Sequence, residues 1–264
     1  MNIKELISKR KSVRTFDGRT IPEETLKALE EYASTLDNPF SIKTTIKFLS
    51  KEEHDLFSPV ILGEHLYVAI KVKNIPNAIV AAGYEFEKLC LKALSLNLGS
   101  VILAGSLNRQ AFSKAMEVKQ DEVMPVASPL GYPAKVRSIR EKMMRMAIHA
   151  NSRLSLSEIC FEGDFFTPLK EDHPLKEAFE AIRLAPSAAN KQPWRMLVKD
   201  NVVHFYEKRN FGKPEEDIQQ FDIGIALAHF LLSLEEEKKD YSFVINNPNI
   251  QTPGDEIYIC SVVL

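Results

Sequence analysis

The order of the predicted elements recurs along the chain, and this recurrence limits the fold more than any other feature of the sequence. A helix, a pair of strands, a long helix that contains Gly83 and a closing strand occupy the first part. The same order returns further on, with Gly224 in the corresponding long helix. We therefore predict an α+β fold made of two degenerate repeats, residues 1–150 and residues 151–264, with mixed or antiparallel sheets flanked by helices.

The composition excludes several functional classes. With 45% hydrophobic and 27% charged residues, the chain of 264 residues has the make-up of a soluble globular protein with a substantial core. A net charge of −2 gives no electrostatic reason to expect nucleic acid or an anionic membrane as a partner. No apolar run approaches a membrane span, and the charged N-terminus argues against a signal peptide. Three scattered cysteines indicate reduced, buried thiols of a cytoplasmic protein.

A basic segment follows the first predicted helix. Residues 11–16 alternate polar and apolar side chains, which is typical of an extended segment. In such a segment Arg10, Ser12 and Arg14 would point to the same side, because side chains alternate with a period of two. Lys11 adds a further positive charge to the segment. Two guanidinium groups and a hydroxyl on one side can bind an anion such as phosphate. The alternative, a solvated basic edge, is favoured by composition alone because short basic runs are common.

The most unusual loop of the chain lies at residues 185–194, between a predicted helix and a predicted strand. Two prolines restrict its backbone where small and amide side chains cluster, so Ser187, Asn190 and Gln192 can be presented in fixed positions. The loop ends in Trp194, the single tryptophan of the chain. Taken alone, the loop is explained as well by a connection whose tryptophan packs in the core. The first repeat has no counterpart of this loop, and the second has no comparable basic segment.

Together these segments resemble the FMN-dependent nitroreductase superfamily. That family begins with a helix followed by Arg-x-Ser-x-Arg/Lys-x-Phe, which residues 10–16 match. It also has a Pro-Ser-x-x-Asn-x-Gln-Pro-Trp loop, matched by residues 186–194, and a Gly-Tyr-Pro turn followed by basic residues, matched by residues 131–137. In ordinary members the first segment and the loop at each flavin come from different subunits of a homodimer. Here they lie in different repeats, so the resemblance implies a nitroreductase-like fold in which both subunits are fused as an intrachain pseudo-dimer.

The resemblance also implies a set of cofactor-binding residues. These are Arg10, Lys11, Ser12, Arg14, Ile102, Ala104, Gly105, Lys135, Arg137, Pro186, Ser187, Ala188, Asn190 and Gln192. Arg10, Ser12 and Arg137 would hold the FMN phosphate, with Lys135 beside them. Arg14 matches a basic residue near the pyrimidine edge of the flavin, where a cation stabilises the anionic reduced ring. Family members often have an acid where this chain has Ala104.

The implied reaction is a ping-pong oxidoreduction. NADH or NADPH would reduce FMN, and a nitroaromatic, a quinone or a similar small molecule would then accept the electrons over the same ring face. No catalytic acid, base or metal ligand is implied, since the flavin carries the chemistry. Because each repeat keeps only one part of the site, we expect one FMN per chain in a monomeric pseudo-dimer, with further dimerisation open.

Three alternatives stay open at this point. The chain could bind flavin without reductase activity, or it could be a dehydrogenase, a dehalogenase or a flavin-fragmenting enzyme of the same superfamily. It could also be a structural dimerisation module in which Arg10 and Trp194 only pack. Metal chemistry is disfavoured because the six histidines show no ligand spacing with cysteines or acids.

Overall fold

Two separate sheets organise the residues that the computed structural model describes, 1–210 and 217–264. Each sheet belongs to its own unit. The first unit consists of residues 9–150, and the second consists of residues 1–8 and 151–264. The predicted α+β fold with antiparallel and mixed sheets flanked by helices is therefore confirmed.

The first unit contains a four-stranded antiparallel sheet with the strand order β1-β2-β4-β3. After α1 (Ile3–Lys9), which opens the chain, its elements are α2 (Glu23–Ser34), β1 (Thr44–Ser50), α3 (Lys51–His54), β2 (Leu66–Lys73), α4 (Ala78–Ser95), β3 (Gly99–Ser100), α5 (Arg109–Ala115), β4 (Glu122–Gly131) and α6 (Ile139–Ala147). Helix α4 is apolar almost all round, as expected for a helix buried on every side. Val13, Tyr67 and Phe112 belong to the core of this unit.

The second unit contains a five-stranded sheet with the order β5-β6-β7-β9-β8. Its elements after α1 are α7 (Leu156–Ile159), β5 (Cys160–Glu162), α8 (Lys176–Arg183), β6 (Trp194–Lys199), β7 (Val202–Glu207), α9 (Gln219–Glu236), β8 (Ser242–Val244) and β9 (Ile257–Val263). Strand β5 pairs parallel with β6, whereas the other pairs are antiparallel. Stacked and edge-to-face contacts of Phe230 with Phe179 and Phe205 join the helices to the sheet.

The two units share one topology. Apart from short helices, each has a helix, two strands, an 18-residue helix and two further strands in that order. The strand order β1-β2-β4-β3 of the first unit corresponds to β6-β7-β9-β8 of the second. The added element of the second unit is β5. The recurrence of elements read from the sequence is thus present within each unit, while the intrachain pseudo-dimer stays a prediction.

Three local features differ from the expectations. Residues 1–8 group with the second unit, where Ile3 N–H donates to Glu236 Oε1 at 2.6 Å, although the prediction placed them in the first repeat. The stretch expected to be a connection contains α7 and β5, because a capping box at Ser155 starts a helix there. Of the strand expected at residues 100–105, only its first residue is in β3. No helix among the described residues is long and apolar enough to cross a membrane.

Candidate functional site

The basic segment is fixed on one side by β3. Ser12 forms a parallel bridge with Ser100, and Val13 N–H donates to Ser100 O at 2.9 Å. A Cβ atom on Gly99 would lie 2.8 Å from both Cβ and Cγ2 of Val13, which is closer than carbon atoms approach. Glycine is therefore needed at position 99 for the segment to lie this close to the strand.

The other side of the segment pairs with the Gly-Tyr-Pro turn. Asp17 N–H donates to Tyr132 O, and Ala134 N–H donates to Thr15 O, each at 3.0 Å. Phe16 forms an antiparallel bridge with Pro133. The structure therefore brings two of the three motifs together within the first unit.

Arg10 and Arg14 are the buried cations of this segment. Arg10 Nε lies 2.9 Å from Glu87 Oε1 in an ion pair whose side chains are 5% and 0% exposed, without the alignment of a hydrogen bond. Nη2 of Arg10 and both Nε and Nη1 of Arg14 are buried without a hydrogen-bond acceptor among the described residues. Burial lowers the pKa of Arg14, the charge of Glu141 opposes this, and the charges of Arg145 and Arg10 lower it further. The first unit thus holds two guanidinium groups, close enough to affect each other, with donors left over.

Glu141 is the acid at the start of α6 that faces the same segment. Its side chain is 2% exposed, and Oε2 accepts hydrogen bonds from Thr15 Oγ1 at 2.8 Å and from Arg14 N–H at 3.3 Å. Arg137 Nε lies 3.3 Å from Glu141 Oε1. Of the predicted phosphate ligands, Arg137 and Arg10 are therefore both already paired with carboxylates, whereas Lys135 is exposed, as is the neighbouring Lys11.

The segment at residues 102–105, which contains the predicted cofactor-binding residues Ile102, Ala104 and Gly105, is held through its backbone. Leu103 and Ala127 exchange hydrogen bonds of 2.8 and 3.0 Å. Arg109 donates from Nη2 to Ala104 O and from Nη1 to Met124 O, each at 2.7 Å. Ile102 and Ala104 are partly buried and Gly105 is exposed.

The Pro-Ser-Asn loop belongs to the second unit and has an unusual backbone. Ala189, Asn190 and Gln192 adopt φ angles of 48°, 57° and 50°. The conformation is stabilised by Ser187 Oγ, which accepts from Gln192 N–H at 2.9 Å. Ala188 N–H donates to Asp222 Oδ2 of α9 at 3.0 Å. Hydrogen bonds to a side chain of the loop and to α9 therefore stabilise this backbone, while the presentation of Ser187, Asn190 and Gln192 to a cofactor stays a prediction.

The amide side chains of the loop bind the chain that enters this unit. Asn190 Nδ2 donates to Ser152 O at 3.0 Å, and its Oδ1 accepts from Arg153 Nη1 at 3.1 Å. Gln192 Oε1 accepts from Leu154 N–H at 2.9 Å. Trp194 is fully buried, and its indole N–H has no acceptor among residues 1–210 and 217–264. Both amides thus have hydrogen-bond partners within their own unit, and the tryptophan belongs to the buried core. Pro186, Ser187 and Ala188 are partly buried.

Buried acids lie behind the loop. Asp222 is 3% exposed, and burial raises its pKa well above the ordinary value despite the Ala188 hydrogen bond. Burial and the neighbouring Asp217 raise the pKa of Glu207 to about 8, against the charge of Arg209. Arg209 Nε donates to Asp217 Oδ2 at 2.7 Å. Two acids of the second unit, Asp222 and Glu207, therefore have a pKa above the ordinary value because they are buried.

Sequence reasoning missed the acids that position the site. Glu87 and Asp222 sit inside apolar helical runs, where a carboxylate is costly unless it has a partner. That placement was a usable signal for a structural or functional role. Glu141 lies four residues after Arg137, a spacing that predicts a helical ion pair but not a buried one. Nothing in the sequence indicated the role of Arg109, because its hydrogen-bond acceptors are backbone carbonyl groups.

Comparison with solved structures supports the fold. The crystal structure of a "putative nitroreductase" from Thermotoga maritima superposes with a TM-score of 0.65 over 100% of this chain and 94% of its own, at 23% identity. An oxidoreductase containing FMN gives a TM-score of 0.51 at 14% identity, over 63% of this chain and 93% of its own. A nitroreductase family protein from Clostridium difficile 630 gives 0.48 at 17% identity, over 60% and 96%. At identities of 23% and 14%, the first two similarities concern the fold alone.

Comparison at the level of sequence gives the family. No curated protein matches the chain. The sequence model of the family described as "Putative TM nitroreductase" matches residues 2–234. The match includes the basic segment, the Gly-Tyr-Pro turn and the Pro-Ser-Asn loop, and it spans most of the chain. The protein therefore belongs to this nitroreductase family.

Proposed function

We propose that the protein is an FMN-dependent oxidoreductase of the nitroreductase type. It would take electrons from NADH or NADPH and pass them to a nitroaromatic, a quinone or a similar small acceptor in a ping-pong cycle. The observation that carries the proposal is the pair of buried guanidinium groups, Arg10 and Arg14, with hydrogen-bond donors that no described residue accepts. Buried donors of this kind are rare in native proteins and call for an acceptor.

An anionic flavin nucleotide fits this donor set. Its phosphate offers several acceptor oxygens and two negative charges, which match Arg10, the Ser12 hydroxyl and Arg137. Arg14 would lie against the pyrimidine edge and favour negative charge there. The bound FMN supplies hydride and electron transfer, and the protein supplies binding, orientation and charge. The exposed Lys11 and Lys135 would add attraction for the phosphate at longer range.

The Pro-Ser-Asn loop would supply the second wall of the same site. This part of the proposal rests on the arrangement in the family, in which the loop and the basic segment contact the same flavin. Pro186, Ser187, Ala188 and Asn190 would line the ring and its ribityl chain, with Gln192 supporting them. Since the first unit lacks such a loop, the proposal is one FMN per chain in an intrachain pseudo-dimer. Cys90, Cys160 and Cys260 are buried free thiols, which suits the reducing cytoplasm.

Flavin content and anaerobic reduction test the proposal. The purified protein is expected to be yellow and to contain one FMN per chain by absorbance after denaturation. NADH or NADPH under argon should bleach the flavin, and a nitroaromatic or a quinone should restore the colour. Two FMN per chain would contradict the single site. If the protein contains flavin that neither nucleotide reduces, it binds flavin but lacks this activity. A colourless protein that binds no added FMN would refute the flavin site.

A further inference from the structure

A groove runs along the outer edge of β1 in the first unit. Its volume is about 960 Å³, and residues 44–48 of β1 all line it. Successive side chains of a strand point to opposite faces of the sheet, so no single face carries all five of these residues. What the five residues have in common is the backbone edge of the strand. The groove therefore follows the hydrogen-bonding edge of β1. On that edge, alternate residues direct N–H and C=O groups away from the sheet.

The second unit shows what covers the equivalent edge. There β6 takes the place of β1, and β5 pairs parallel with it. The partners of Cys160, Phe161 and Glu162 are the third to fifth residues of β6. The third to fifth residues of β1 are 46–48, and all three line the groove. Among the described residues, β1 ends its sheet, and no strand of the first unit corresponds to β5.

From this correspondence we propose that the groove binds an extended peptide segment of a partner protein, which pairs parallel with β1 as a fifth strand. The opposite wall is the last part of α2, where Glu30, Ala33 and Ser34 line the groove. A slot closed on that side admits one strand but not the edge of a second sheet. Five extended residues span roughly 16 Å, which matches the length of lined strand. This inference is independent of the flavin proposal.

The charges that line the groove select an uncharged segment. Lys47 is held by Glu117 at 3.0 Å, and Asp37 by Lys88 at 3.7 Å. The buried Glu85 accepts hydrogen bonds from Asn38 Nδ2 at 2.6 Å and from Thr44 Oγ1. The other charged residues of the lining, Glu30 and Lys43, have opposite signs and add no net charge. Recognition therefore rests on main-chain hydrogen bonds, and β-branched residues with a strong strand preference fit best.

The probe is a fluorescein-labelled acetylated peptide, Thr-Val-Thr-Val-Thr amide, titrated against the full chain by fluorescence anisotropy. Two further peptides carry N-methyl groups on the odd residues alone or on all residues. Methylation of the odd residues leaves one edge free to face β1, so this peptide should bind like the parent, whereas the fully methylated peptide has no free edge and should bind at least about tenfold more weakly. Ala33→Trp, which fills the groove from α2, should weaken binding at least about tenfold, while Glu24→Trp, at an exposed position on a different face of the first turn of the same helix, should not.

Three outcomes would overturn the proposal. The parent peptide could fail to bind the folded wild-type chain, or the fully methylated peptide could bind as well as the one methylated on its odd residues. The third is a homodimer seen by light scattering that Ala33→Trp dissociates, since this would assign the edge to a second copy of the chain. Circular dichroism and thermal melting of both tryptophan variants verify that they are folded. The flavin content of the same samples is measured as well. A sample that contains flavin but binds no peptide would contradict the peptide proposal alone and leave the flavin proposal standing.

Discussion

Arg137 is paired with a buried carboxylate: its Nε atom lies 3.3 Å from Oε1 of Glu141. The other oxygen of Glu141 accepts from Thr15 Oγ1 and from the backbone of Arg14. One acid thus ties the basic segment to the cation that follows the Gly-Tyr-Pro turn. If Arg137 binds a phosphate, the phosphate must either share the guanidinium group with Glu141 or displace the Glu141 carboxylate from it.

Glu141→Gln is expected to strengthen FMN binding by roughly two- to fivefold, the worth of a partly exposed ion pair. Glutamine keeps a carbonyl acceptor for Thr15 but removes the charge that competes for Arg137. Riboflavin has no phosphate, so its affinity should stay unchanged. Flavin fluorescence titrations measure both. Glu117→Gln removes an exposed acid paired with Lys47 and serves as the control. An equal change for riboflavin, or weaker FMN binding, would show that Glu141 acts only through structure.

Much of the architecture follows from the sequence because it depends on patterns of apolar residues. The long helices α4 and α9 and the strands β2, β4 and β9 are long and strongly apolar, and the repeated order of elements follows from them. The short β5 could not be predicted, because three residues carry no periodicity and their pairing with β6 depends on contacts distant in sequence.

Of the candidate site, only the residues within the motifs could be predicted from the sequence. Arg10, Ser12 and Arg14 stand out by spacing, whereas their partners Glu87 and Glu141 are 77 and 127 residues away from Arg10 and Arg14 by sequence number. Spacing along the chain gives no information on such pairs. The burial that leaves donors of Arg14 without an acceptor among the described residues likewise arises from the folded unit.

Arg14→Gln is expected to make the flavin reduction potential more negative by an amount on the order of tens of millivolts. A hydrogen bond to a charged group is worth about 1.5–3 kcal/mol, and 30 mV corresponds to about 1.4 kcal/mol for two electrons. Arg14→Lys keeps a cation and should shift the potential less. Photoreduction beside reference dyes measures both values. Equal shifts in the two variants, or a more positive potential, would remove Arg14 from the role of flavin tuner.

Gly99→Ala is expected to displace the basic segment from β3. The new Cβ would meet Val13 at 2.8 Å and Pro133 Cγ at 3.0 Å, so the unit should lose about 1–3 kcal/mol of stability and FMN affinity should fall. Gly254→Ala is the matched control, because the nearest atom to its Cβ would be Oε2 of Glu256 at 3.4 Å, an ordinary van der Waals distance. Urea denaturation and flavin titration measure the two effects. Unchanged FMN binding in a destabilised Gly99→Ala protein would separate the segment from the flavin site.

Asp222→Leu is expected to destabilise the loop by about 1–3 kcal/mol, because it leaves Ala188 N–H without its acceptor. Asp222→Asn keeps a carbonyl oxygen at the same place and removes an acid whose pKa burial has raised. The asparagine variant should therefore be about as stable as the wild type near neutral pH. Urea denaturation compares the three proteins, and equal losses for Leu and Asn would show that the hydrogen bond to Ala188 contributes little.

Thermal stability is expected to fall as pH rises from about 5 to 9, because of Glu207. Burial and Asp217 raise its pKa from 4.5 to about 8, so between these values the folded state binds a proton that the unfolded state has released. The stabilisation from this group is complete below the unfolded pKa and is lost as pH passes through the folded value. Glu207→Gln cannot ionise and should melt at a Tm less dependent on pH, higher than wild type by a few degrees at pH 9. Scanning calorimetry at pH 5, 7 and 9 measures this, and parallel pH profiles for both proteins would assign the dependence to other groups.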